Sequence, residues 1–577
     1  MLWPNVSPWI RFIFLIGAAA GPFASLSADE SLAAPLRFDR AAVASESALA
    51  SQVGGDVLRR GGNGVDAAVA TAFALAVVHP TAGNIGGGGF LLVRLPEGRA
   101  VAFDFRETAP KASRPDMFLG PDGKYDAERH HWGALSVGVP GSVAGLHLAH
   151  ARLGKLPWRE LVQPAVDLAA KGFRVSRGLA ESLAGVLPSM RRYPASIAQF
   201  SRGGEPLAEG ESLVQADLAR SLERIRDRGP AGFYEGETAD LLVKEMVRLG
   251  GLIRHEDLRA YRAVEREPVR GTYRGFDVLG MPPPSSGGVA LIEMLNIIEG
   301  DPLGDMGPRG SRGTHLIIEA MRRAYADRAR FLGDPDRADV PAARLASKDH
   351  AAALRKTIDP SRASKSAPES FEWPRESSET THLSVVDPDG MAVALTTTIE
   401  QAYGSRIVVS GAGFLLNNEM GDFNPSAGLT TRDGLIGTPA NLVEPGKRML
   451  SSMTPTIVAR DGKPYLVLGS PGGRTIINSV LLVVINAIDH RMAVQDAVDA
   501  PRFHHQWLPD LVLAERWCFS PDTRVALEAL GHRIEAPGHQ QGSVMALRIH
   551  PAGPGGKKGF IEAGVDRRRP DTGAAGY

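Results

Sequence analysis

From Ala41 to Val78 apolar residues recur at helical spacing, as in SESALASQVGGDVLRRGGNGVDAAVATAFALAVV, and Gly61-Gly62-Asn63-Gly64 divides the stretch into two alanine-rich helices. After His79-Pro80 and the run Gly86-Gly87-Gly88-Gly89 the period shortens. FLLVRL and VAFDFRE read as two strands joined by the turn PEGR. Residues 140–360 return to helical pattern, as in LVQPAVDLAAKGF and THLIIEAMRRAYADRARFL, punctuated by turn clusters such as Pro282-Pro283-Pro284-Ser285-Ser286-Gly287-Gly288. The stretch 357–379, TIDPSRASKSAPESFEWPRESSE, has no apolar period and predicts an exposed, mobile loop. The chain then switches to THLSVVDPDGMAVALTTTIE, where alternating and β-branched residues flank Pro388-Asp389-Gly390 as a hairpin. Helical blocks around two strand-rich zones predict a layered α+β architecture. No internal repeat is found.

The hairpin has a chemical consequence. With its loop at Pro388-Asp389-Gly390, facing residues sum to about 778, so Thr380 stands opposite Thr398. Directly opposed side chains share one face with Cβ atoms about 4.5–5.5 Å apart, close enough for two hydroxyls to meet. A threonine hydroxyl needs a base to become a nucleophile. Cutting the bond between Glu379 and Thr380 would free an α-amine, with an ordinary pKa of about 7.7–8.0, on the same residue as the hydroxyl. Thr–Thr pairs are also common in sheets, so spacing alone leaves a plain structural pair open.

Composition narrows the functional classes. The chain of 577 residues has 43% hydrophobic and 23% charged residues, enough for a large core, so dominant disorder is excluded. Lys plus Arg and Asp plus Glu are both 65, and the net charge of zero argues against nucleic acid or an anionic membrane as partner. The opening residues 1–28 carry one cation, Arg11, an apolar run from Phe12 and small residues near Ser25, which predicts a signal peptide and a periplasmic or extracellular protein. The apolar run is shorter than the ~20 residues that span a bilayer, so no stable membrane insertion is expected after its removal. Cys518 is the only cysteine, which excludes an internal disulfide and a cysteine zinc site. The Gly86–Gly89 run completes no phosphate-binding pattern and reads as a backbone turn near the site. His504-His505 lacks metal-ligand spacing, no G-x-S-x-G elbow occurs, and no cofactor or metal is expected.

Several blocks in order resemble the γ-glutamyltranspeptidase family: DFRETAP at 104–110, PPPSSGG at 282–288, TTHLSVVDPDG from Thr380, LLNNEMGDF at 415–423, KRMLSSMTPTIV at 447–458, GSPGGRTII at 469–477, APRFHHQWLPD at 500–510 and the terminal AAGY. The resemblance implies an N-terminal-nucleophile hydrolase with a four-layer αββα sandwich. It implies a precursor that cuts itself after Glu379 into a large chain, 29–379, and a small chain, 380–577, which stay associated as an obligate pair. Thr380 matches the nucleophile and Thr398 the threonine that orients it. Gly472 and Gly473 match the oxyanion-hole pair. Arg106, Ser451 and Ser452 match the groups that hold the substrate's α-carboxylate; Glu419 and Asp422 match those that hold its α-ammonium. Glu400 stands where some members carry asparagine, two residues past Thr398 on the same strand face, and its carboxylate is expected still to hold the substrate's ammonium. The implied donors are glutathione and related γ-glutamyl compounds, and the implied acceptors are water, amino acids or dipeptides. Residues 424–446 match the lid loop in length but contain no aromatic residue, so weaker shielding from water is expected. Two other readings remain: a β-lactam side-chain (glutaryl-cephalosporin) acylase of the same superfamily, and a non-catalytic secreted relative.

Overall fold

The computed structural model describes residues 35–366, 380–428, 437–536, 538–553, 556 and 558–577. The expected signal peptide, Glu379 and the middle of the expected lid lie outside them. Among the described residues, two seven-stranded antiparallel sheets carry the architecture. One, the hairpin sheet, runs from edge to edge through Gly573–Gly576, Ala42–Ser45, Thr381–Val386, Ala392–Thr398, Gly88–Arg94, Ala100–Asp104 and Val264–Arg266. The other runs through Leu36–Phe38, Phe560–Val565, Met545–His550, Lys463–Gly469, Thr456–Arg460, Phe276–Gly280 and Val269–Tyr273.

The period-two pattern decides how they stack. In the hairpin sheet Ala42, Ala44, Phe90, Leu92, Ala102, Ala392 and Ala394 point toward the second sheet and meet Ile457, Val467, Met545, Leu547 and Ala563. Their alternates, among them Val43, Leu91, Val93, Leu383, Val385 and Leu395, point the other way, onto the helices Ala48–Arg59, Gly64–Val78 and Ser142–Leu153. The second sheet buries its outer face under Gly287–Ile298, Ser311–Phe331, Thr475–Ile488 and Val494–Asp499. Two buried sheet faces between two helical layers make the predicted αββα sandwich, and each fully buried aliphatic side chain contributes about 1.5–3 kcal/mol. The small alanines of the hairpin sheet let it approach its partner closely, with the larger side chains supplied mainly from the opposite face.

The two alanine-rich helices and the strands on either side of PEGR form as expected, but the start of the helical stretch, Ala42–Ser45, is a strand of the hairpin sheet and the first helix begins at Ala48. The expected loop also begins later than its sequence suggests. The stretch expected to be loose from residue 357 is held as far as Ser366: Ala363 N–H donates to the Leu530 carbonyl at 2.7 Å, Ser364 N–H to Glu319 at 3.1 Å and Ser366 N–H to Asp510 at 2.9 Å. Low hydrophobicity signals exposure there, but a backbone carbonyl and the carboxylates of Glu319 and Asp510 on other segments capture the backbone amides.

Candidate active site

The hairpin turn is built by Asp387, whose Oδ1 accepts from the N–H groups of Asp389 and Met391 at 3.0 and 2.9 Å, while Gly390 takes φ +89°. This Asx-type turn sets the register Val386↔Ala392 through Thr381↔Thr397, so facing residues sum to 778 as the sequence predicts. One step beyond the ladder, Thr380 Oγ1 donates to Thr398 Oγ1 at 3.4 Å. Both residues are buried and lie on the face that looks between the sheets, in line with His382 and Thr396.

The end of the Thr398 strand is held from outside the hairpin. Asn84 Nδ2 donates to Thr397 Oγ1 at 3.1 Å and to the Thr398 carbonyl at 2.9 Å, and Thr397 Oγ1 donates to the Gly88 carbonyl at 2.7 Å. The glycine run therefore sits beside the site, though Gly88 and Gly89 belong to a strand rather than a turn. A Cβ on Gly87 would lie 2.1 Å from the Thr398 carbonyl oxygen, which is why a side chain is excluded there.

Thr380, Thr398, Glu400, Glu419, Asp422, Ser451, Ser452 and Gly473 line one concavity of about 320 Å³, counting its solvent-filled mouth. Gly472 and Gly473 take φ +129° and +55°, conformations that side chains rarely adopt. Glu400 corrects the sequence reading. It lies beyond the strand end with φ +73°, so it is not a strand-face neighbour of Thr398; instead its N–H donates to Thr398 Oγ1 at 2.8 Å. Its carboxylate accepts from Asn418 Nδ2 and stands 3.7 Å from His131 Nδ1. The turn thus gives the second threonine a donor and turns a carboxylate toward the cavity.

Arg106 is fully buried behind this wall. Its guanidinium pairs with Glu419 and Asp422 and donates to the carbonyls of Met449 and Leu450 at 3.2 Å. The groups expected to hold opposite ends of a zwitterion therefore adjoin one another. Glu107, also fully buried, lies 3.6 Å from the same guanidinium, and neither of its carboxyl oxygens has a hydrogen-bond partner among the described residues. Burial first, then the charge of Glu419, holds the Glu107 carboxyl well above the usual range. Burial likewise raises Glu419 to about 8, with Arg106 opposing and Asp422 and Glu400 adding to the rise. One guanidinium thus faces three carboxyl groups in this cluster, a surplus of acid over base.

Ser451 and Ser452 are fixed by the PPPSSGG segment. Ser286 N–H and Oγ both donate to the Ser451 carbonyl, at 2.7 and 2.6 Å, and Arg328 donates to Ser286 Oγ at 2.9 Å and Ser452 Oγ at 2.8 Å. Glu107, Asn418 and His131 around the carboxylates, Asn84 behind the strand end and Arg328 behind the serines are site residues that sequence reasoning misses. Glu107 and Asn418 sit inside the recognised blocks; Arg328 is 124 positions from Ser452 and carries no local signal.

His382 and the His504-His505 pair are engaged by other groups. His382 is pushed down to about 3 by burial, and its ring nitrogens meet Thr396 and Ser384 at 2.8 and 3.0 Å. His504 meets Asn478 and Gln506, and His505 meets Asp510 and the Trp507 N–H.

The sequence profile described as Gamma-glutamyltranspeptidase matches residues 50–576. The chain is 46% identical over 570 residues to the glutathione hydrolase proenzyme of Escherichia coli (strain K12), covering 97% of this chain and 96% of that one. It is 38% identical over 530 residues to the acylase ACY 1 proenzyme of Pseudomonas sp. (strain SE83), covering 90% and 91%. Its fold is similar to the crystal structure of a cephalosporin acylase from Bacillus halodurans, with a TM-score of 0.82 and 26% identity over 98% of this chain and 99% of that one.

Proposed function

Because the chain belongs to the γ-glutamyltranspeptidase family, we propose that Thr380 is its nucleophile and that the other residues lining the cavity serve that hydroxyl. The protein is a self-processing enzyme, a γ-glutamyltransferase and glutathione hydrolase. The observation that carries the assignment of Thr380 is its position at the head of a strand, 3.4 Å from a second hydroxyl, inside a cavity lined by serines, glycine and acids.

In self-processing, Thr380 Oγ attacks the Glu379 carbonyl, the amide nitrogen leaves as the new α-amine, and water opens the resulting ester. The products are a large chain ending at Glu379, beginning near residue 29 if the leader is removed on export, and a small chain 380–577. Among the described residues no helix is long and apolar enough to cross a membrane. In turnover, Thr380 Oγ attacks the γ-glutamyl carbonyl while its α-amine takes the proton and returns it to the leaving amine. The Gly472 and Gly473 N–H groups stabilise the oxyanion. Water or an acceptor amine then opens the threonyl ester, yielding glutamate or a new γ-glutamyl amide.

The ligand that suits this cavity carries an ammonium, because that cation relieves the carboxylate excess around Arg106. Holding it requires Glu419 ionised, so KM for a γ-glutamyl donor should fall as pH rises toward about 8. Protonation of the Thr380 amine acts on kcat in a neighbouring range. Glu419→Gln is expected to flatten the KM limb and leave the kcat limb in place, which steady-state kinetics across the neutral range reads directly. An unchanged KM limb in the variant would count against Glu419 as the ammonium ligand.

Similarity to two acylases favours a second reading, removal of a glutaryl side chain from a cephalosporin. A glutaryl group lacks the ammonium, so γ-glutamyl-p-nitroanilide should be preferred over glutaryl-p-nitroanilide by about 100-fold in kcat/KM, the scale of losing one buried charge partner. Preference for the glutaryl substrate would transfer the protein to the acylase reading.

A further inference from the structure

We propose that Glu293, Asp327 and His350 form a divalent-cation site in the helical layer outside the second sheet. Glu293 lies in Gly287–Ile298, a helix otherwise almost wholly apolar, and is 1% exposed. An acid in such a helix is costly unless something compensates it. Its Oε1 has no hydrogen-bond partner among the described residues and points at two groups from neighbouring helices. Asp327 comes from Ser311–Phe331 and His350 from Lys348–Arg355. His350 Nε2 is 2.6 Å from Asp327 Oδ2 and 4.0 Å from Glu293 Oε1, and the three ligand atoms all lie within 4.8 Å of one another.

Metal–ligand bonds of about 2.0–2.2 Å place ligand atoms roughly 3–4 Å apart, so occupancy requires the His350–Asp327 edge to open slightly and the Glu293 edges to hold or contract. Both adjustments fall within side-chain torsions. Two carboxylates facing one imidazole leave an excess of negative charge that a dication neutralises. Burial first, then the charge of Asp327 and a hydrogen bond shared with it, raises the Glu293 carboxyl above the usual range, and Arg344 offsets this only in part. One imidazole with two carboxylates favours a borderline first-row ion such as Zn²⁺, then Mn²⁺, over Mg²⁺ or Ca²⁺. The side chains of Asp327 and His350 are 10% and 15% exposed, so both keep an edge toward solvent.

A second buried trio, His315, Glu319 and His532, is a poorer host. Arg322, Arg323 and the Ser364 N–H already saturate the Glu319 carboxylate, and two guanidinium groups would repel a dication. The Glu293 site also has a structural reach. Asp327 immediately precedes Arg328, which holds Ser286 and Ser452, and the Glu293 helix starts directly after Ser286. A bound ion would tie together the two helices that back the serine pair.

The test uses the full-length, self-processed protein, stripped with EDTA and dialysed, titrated calorimetrically with ZnCl2, MnCl2 and MgCl2 and followed by thermal unfolding. One equivalent of Zn²⁺ should bind, more tightly than Mn²⁺ or Mg²⁺, and raise Tm. Glu293→Gln copies the shape of the protonated acid, so it should fold and keep its cation-free activity while losing about 100-fold or more in Zn²⁺ affinity together with the Tm rise. Asp327→Asn should do the same, and His532→Asn should leave binding intact. Failure of the stripped protein to take up any of the three ions overturns the proposal. So does binding that is unchanged in Glu293→Gln, or lost in His532→Asn.

Discussion

Thr380→Ala is expected to run as one uncleaved chain on denaturing electrophoresis, even after long incubation, and to release glutamate from glutathione at least about 10⁴-fold more slowly than the parent. The size of the effect follows from two losses in one substitution. On the proposed mechanism the variant lacks the hydroxyl that attacks the Glu379 carbonyl, so no new N-terminus should form. Without that terminus the α-amine that would serve as base never exists either. Thr380→Ser separates these from simple misfolding, because serine keeps both groups: it should still be cut and retain measurable turnover. The Thr398 hydroxyl, 3.4 Å away, then meets a freer Ser hydroxyl that lacks the methyl group restricting χ1, so a lower kcat is expected. Thr380→Ala that matures and turns over like the parent would remove Thr380 from the chemistry.

The second large effect is expected at Arg106. Arg106→Lys keeps the charge but loses the planar fork that reaches Glu419 and Asp422 together, and KM for a γ-glutamyl donor should rise about 10- to 100-fold. Arg106→Leu should be worse and of a different kind. It strands Glu107, Glu419 and Asp422 without their shared cation, and leaving buried charges unpaired costs about 3–5 kcal/mol, enough to lower Tm sharply or abolish soluble expression. Urea unfolding of the lysine and leucine variants beside the parent distinguishes the two mechanisms. Lysine should affect kinetics more than stability, and leucine should affect both. If Arg106→Leu left the unfolding midpoint and KM unchanged, the charge balance described for the cavity would be wrong.

Sequence carries some of this site well because the governing interactions are local. The Asp387 turn and strict alternation fix the hairpin register within about a dozen residues, so the meeting of Thr380 with Thr398 is legible in the pattern of the hairpin alone. The glycine run lies near the site for a related reason, since only a bare backbone can lie against the Thr398 carbonyl. What sequence does not supply is contact between distant segments. Arg106 meets Glu419 and Asp422 more than 300 positions away, which puts the two expected halves of a zwitterion clamp in one cluster. Arg328 reaches Ser452 across 124 positions, with nothing in its own helix to mark it. Glu400 departs from expectation for a subtler reason: the strand ends at Thr398, and a left-handed residue two steps later re-aims the carboxylate, which a period-two extrapolation cannot foresee. The stretch before Ser366 reads as loose because low hydrophobicity says nothing about whether Glu319 and Asp510 will be waiting for its amides.

The central claim is that one threonine supplies both hydroxyl and amine, and the N-terminus of the small chain tests it most directly. Edman sequencing and intact mass of the purified, active protein should give a chain that starts Thr-Thr-His-Leu-Ser and spans residues 380–577. An active preparation that is a single uncut chain, or whose small chain begins at any other residue, would contradict it.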